Sequence, residues 1–165
     1  MIIDNYIFKL GFLSHMIAGI LYGLYNPLTG NISNILFCIG HICIAAALYM
    51  ISYVKNSWNL SGKIGVIGHC LLVLYILSVG LREINSIFLL GTLGEIYFYS
   101  EINKKKDSKS IFGINKKSIN IFRIAFILLF IWYIVYFVKI KETYRYGLLM
   151  LAVFYGNLFL NLIVY

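Results

Sequence analysis

Apolar residues run along this chain in six near-continuous blocks separated by short polar knots. Each block approaches the roughly 20 residues that a helix needs to cross a hydrocarbon core. The pattern predicts helices over residues 6–25, 33–54, 64–81, 87–100, 119–138 and 146–165. Asn26-Pro27 closes the first, because an interior proline costs a helix a backbone hydrogen bond, and Ser61-Gly62-Lys63 leads into the third. The stretch from Gly65 to Tyr99 is too long for one crossing. Arg82-Glu83 and Asn85-Ser86 therefore mark a turn between the third and fourth helices.

Composition turns this pattern into a class. The chain has 165 residues, 61% of them hydrophobic and 12% charged, with a single proline and a mean hydropathy of +0.87, far from the profile of a soluble domain. The expected fold is all-α: a polytopic membrane helical bundle of six transmembrane helices, forming a single integral membrane domain over residues 1–165. Little of the chain is left for chemistry outside the bilayer.

Charge sets the expected orientation, since lysine and arginine concentrate in cytoplasmic loops. Both termini are placed in the cytoplasm, which puts Lys9, Lys55, Lys63, the loop lysines of 101–118 and Arg123 inside. Arg82, Lys139, Lys141 and Arg145 fall outside. The run Lys104-Lys105-Lys106-Asp107-Ser108-Lys109 reads as a topology signal against anionic lipid and not as a nucleic-acid site. Asp4 interrupts the basic start of a signal peptide and no small-residue cleavage pattern follows, so the first helix is expected to stay in the mature protein. An abundance of Ile, Asn, Lys, Tyr and Phe, with no glutamine, suggests an AT-rich bacterial genome and the bacterial cytoplasmic membrane.

Against this apolar background the candidate chemistry stands out. His15, His41 and His69 are the only histidines, and each falls inside a different predicted span. Ionisable groups at such depth are costly and mark ligand, ion or proton sites. In the first helix Gly11, His15, Gly19 and Gly23 share a face of small residues that permits close helix packing. In the second, Cys38, His41, Ala45, Tyr49 and Ser52 lie at steps of three or four. Gly65, His69, Val73 and Ile76 follow in the third, and Gly91, Thr92, Glu95 and Tyr99 in the fourth. At about 1.5 Å per residue, the three histidines and Glu95 fall within roughly 10 Å of one another along the membrane normal. Helices one to four are the expected working core. The fifth, with Trp132, Tyr133 and Tyr136 near one end, and the sixth, with Asn157 and Asn161, are its support.

Four functions suit this set. The first is a b-type haem for electron transfer, ligated by two of His15, His41 and His69, with Arg82 pairing a propionate. A small-molecule-binding membrane subunit of a transporter, working with other membrane subunits, is the second. The third is an intramembrane metal-dependent enzyme, with zinc and a water held by ligands drawn from His15, His41, His69, Glu95 and Cys38. The last is an assembly or immunity subunit whose histidines only pack. The cysteines are odd in number, lie within spans and form no C-x-x-C pair, which excludes a disulfide scaffold. No phosphate loop, nucleophile elbow or H-E-x-x-H is present.

Overall fold

The computed structural model describes residues 2–23, 27–54, 59–79 and 86–104, together with the single positions 124, 127, 128 and 131. The described part is all-helical: α1 (Ile2–Gly23), α2 (Pro27–Tyr49), a π-helical turn (Met50–Val54), α3 (Asn59–Val79) and α4 (Ser86–Lys104). Helices five and six, Arg82 and most of the 101–118 loop lie outside the described residues.

Where the helices end differs from where their apolar blocks end. Hydropathy marks the part of a helix that avoids water; backbone hydrogen bonding continues past it. Thus α2 starts at Pro27, six residues before the apolar block at Ser33. Proline suits a first helical position, where its missing N–H would have had no intrahelical partner. Likewise α3 begins at Asn59 and α4 runs on to Lys104.

Consecutive helices pack against one another, α1 on α2, α2 on α3 and α3 on α4, and the π turn touches both α2 and α3. Short connections between packed neighbours make them antiparallel. Close contact rests on glycine. At Gly40 in α2 an added methyl would overlap the His15 ring of α1, and at Gly68 in α3 it would meet only α4 backbone, 2.9 Å from the Gly91 carbonyl and 3.2 Å from the Glu95 nitrogen. The Ser33 hydroxyl donates to the Ala18 carbonyl at 2.6 Å and ties α2 to α1.

Polar groups share the interior with a hydrophobic core that includes Phe12, Ile44, Leu48, Tyr75 and Phe98, while much apolar surface faces outward. Ser14, His15, Ser33, His41, Ser52, Ser61, His69, Thr92 and Glu95 are buried, whereas Ile35, Ile42, Leu74 and Leu77 are exposed, the last by 71%. Apolar surface on this scale marks contact with lipid or a partner. The segments Gly30–Tyr53 and Leu60–Ser78 are long and apolar enough to cross a membrane, and Tyr6–Tyr22 is apolar but shorter. At one end of the bundle the Lys63 ammonium lies 5.0 Å from the Tyr53 ring centre and that of Lys9 5.8 Å from Tyr6.

Candidate metal centre

Each of the four helices places one ionisable side chain inward at mid-length, behind a small residue: Ser14-His15, Gly40-His41, Gly68-His69 and Gly94-Glu95. The small residue lets the neighbouring helix approach, and the next side chain then projects into the interface. His15, His41, His69 and Glu95 are 1%, 6%, 0% and 1% exposed. Their polar atoms must find partners within the protein, because unpaired burial is expensive.

Those partners form a ladder across the helices. His15 Nδ1 donates to the Gly11 carbonyl at 2.8 Å, since a carbonyl only accepts. In a neutral ring that leaves His15 Nε2 as an acceptor, so the His41 Nε2–H donates to it across 3.2 Å. His41 Nδ1 then carries a lone pair. It points at His69 Nδ1, 2.9 Å away, and at Glu95 Oε1, 3.5 Å away, while His69 Nδ1 and Glu95 Oε1 are themselves 2.9 Å apart.

Three electron-rich atoms from three helices therefore enclose one point. A single proton on His69 Nδ1 serves two of the three edges and leaves the His41–Glu95 edge uncompensated. On the far side of the ring, His69 Nε2 has no hydrogen-bond partner among the described residues. A cation at the shared point satisfies all three atoms at once. The edges of 2.9, 2.9 and 3.5 Å approach the edge of about 3.4 Å of a tetrahedral ligand face at zinc–ligand distances near 2.1 Å. His41, His69 and Glu95 form a buried group able to hold a metal ion.

The other expected site residues are placed differently. His15 meets the opposite edge of the His41 ring and holds it, without facing the shared point. Cys38, one turn before His41, is half-buried and outside the converging group. Tyr49, expected on the His41 face, is exposed. Cys70, next to His69, is exposed as neighbouring positions on a helix require. Arg82 lies outside the described residues. Two histidines that share a haem iron face each other across a macrocycle; here the rings touch directly, with Gly40 pressed on His15. The described residues do not show a haem site.

Replacing His15 by alanine should retain one metal equivalent at saturation but weaken binding by about 10–100-fold, the usual cost of losing an orienting partner. Metal titration of the variant checks this, and unchanged affinity would deny His15 that role. Compared with known protein families, curated proteins and solved structures, the chain matches none.

Proposed function

We propose that this is a multi-pass protein of the bacterial cytoplasmic membrane that binds one divalent transition-metal ion, zinc foremost, between its helices. His41 Nδ1, His69 Nδ1 and Glu95 are the ligands, and His15 fixes the tautomer and orientation of His41. The convergence of three lone-pair atoms from α2, α3 and α4 at 2.9–3.5 Å supports this above all. The buried polar side chains and the broad exposed apolar surface support the membrane setting, in which helices associate through close packing and interhelical hydrogen bonds. Six spans with both termini in the cytoplasm complete the proposed topology.

Imidazole and carboxylate ligands suit zinc and its first-row neighbours better than calcium or magnesium, which prefer all-oxygen shells. When bound, such an ion supplies a Lewis acid with a coordination position left open by its three protein ligands. Glu95 offsets part of the ion's charge, and the apolar helix faces keep bulk water away. Elemental analysis of protein purified in mild detergent after metal supplementation should find about one zinc or related ion per chain. Substantially less than one equivalent of any transition metal would sink the proposal.

A second reading rests on the unbroken ladder from the Gly11 carbonyl through His15 and His41 to His69. In it a proton occupies the shared point and the ladder conducts protons. Metal-free protein that nevertheless moves protons in vesicles would favour that reading.

A further inference from the structure

The four helices carry a repeat that extends beyond the site residues. Shifting the chain by 54 positions places Lys9-Leu10-Gly11-Phe12-Leu13-Ser14-His15 on Lys63-Ile64-Gly65-Val66-Ile67-Gly68-His69, without a gap. The same shift sets Ile39-Gly40-His41-Ile42 on Leu93-Gly94-Glu95-Ile96. The structure repeats accordingly. Within the α1–α2 hairpin His15 meets His41 at 3.2 Å, and within the α3–α4 hairpin their counterparts His69 and Glu95 meet at 2.9 Å.

The two kinds of interface differ. Inside each hairpin glycines bring backbones together: a methyl on Gly11 would lie 3.0 Å from the Gly40 carbonyl, and one on Gly94 would lie 2.9 Å from Gly68 Cα. Such contacts cannot slide or open cheaply, which makes each hairpin a rigid unit. Across the seam between hairpins Gly65 of α3 meets the end of the Leu48 side chain at 3.0 Å, while the Phe98 ring it also touches belongs to α4 of its own hairpin. The seam is also where α2 gives way to the π-helical turn Met50–Val54, which packs on α3, and π turns often occur at functional sites.

From this we infer that the cation site is shared between two copies of one helical hairpin, and that the ion is captured and released by movement of the copies apart at the α2–α3 seam. The inference rests on the metal reading above. His41 belongs to the first copy, His69 and Glu95 to the second, so opening the seam splits the coordination shell while each hairpin stays whole. With the ligands so deeply buried, some such opening is required for any ion to enter. Paired repeats that rock about a site at their interface are a physical basis for transport. The chemical class of cargo is a divalent transition metal.

Cys70 of α3 and Ala46 of α2 line one groove along this seam. In a Cys38→Ala, Cys43→Ala background, Ala46→Cys allows the seam to be tied to Cys70 with a flexible bifunctional thiol reagent. Cobalt(II) is the probe, followed through its visible absorption, and release is started with excess EDTA. Cross-linked protein loaded beforehand should lose cobalt at least tenfold more slowly than the same protein uncross-linked. Leu48→Ala, which removes the seam side chain over Gly65, should speed release by about tenfold at unchanged stoichiometry. Equal release rates with and without the cross-link, or no cross-link with any linker length, overturn the inference. If native protein takes up no cobalt, the metal reading itself fails.

Discussion

Replacing Glu95 by glutamine should weaken metal binding about a hundredfold while leaving the helices folded. Glutamine keeps the size of the side chain and discards its charge and most of its affinity for a metal ion. Structural zinc sites bind with about 10–16 kcal/mol shared among four ligands, so one ligand is worth roughly 3 kcal/mol, or about a hundredfold in affinity. The carboxyl group also has a cost when no cation is present, because it is fully buried among the helices. Metal-free Glu95→Gln protein should therefore melt no lower than metal-free native protein. Saturating metal should raise the melting temperature of native protein, by about 2.7 kcal/mol of stability at a hundredfold excess over Kd. The same metal concentration should stabilise the variant by only about 0.4 kcal/mol. Thermal melts of both proteins with and without zinc decide the matter, and equal metal-induced shifts would remove Glu95 from the ligand set.

Gly68→Leu should have the largest effect on the fold. A methyl at Gly68 would meet the Gly91 carbonyl at 2.9 Å, Gly94 Cα at 3.1 Å and the Glu95 nitrogen at 3.2 Å. All three are backbone atoms, so no side chain can swing aside and α3 must part from α4. Leucine forms helices far better than glycine, which means that a loss cannot be blamed on helix propensity. Overpacking costs about 1–3 kcal/mol for added methylenes, and with backbone opposing the whole side chain the upper end is expected. Because α4 moves with the Glu95 backbone, metal binding should fall together with stability. Gly30 is the control: nothing lies within 4 Å of a methyl placed there, so Gly30→Ala should be neutral or mildly stabilising in a melt. A Gly68→Leu protein as stable as native would refute the tight α3–α4 contact.

The first four helices, the face each turns inward and the common depth of His15, His41, His69 and Glu95 could all be read from helical spacing. Spacing along one helix says which residues share a face, and the rise per residue gives their height. Neither gives lateral distance. That His15 orients while His41, His69 and Glu95 converge depends on which helices are neighbours and on how closely glycine lets them approach. The choice between haem and a compact cation turned on this missing dimension, because histidines at one depth suit both until their separation is known. The 54-residue repeat, by contrast, was open to view in the two K-[LI]-G-x-[LI]-[SG]-H strings. Its second half is masked by the change from His41 to Glu95, which hides the equivalence of α2 and α4 from any search by residue type. Tyr49 departs from the expected face because eight residues of regular helix turn it about 80° away from His41, whereas Ser52, inside the π turn that starts at Met50, is buried.

Lys9 and Lys63, resting near tyrosine rings, do more than mark one end of the bundle. Each precedes its histidine by six residues, about 9 Å of helix, against a hydrocarbon half-thickness of about 15 Å. Glu101, in the last turn of α4, lies at the same end. Among the described residues the charged side chains outside the site, Lys9, Lys63 and Glu101, thus all lie on one side of the buried carboxylate. In a low-dielectric setting charges at such separations are felt strongly. The bundle is electrically polar along its own axis.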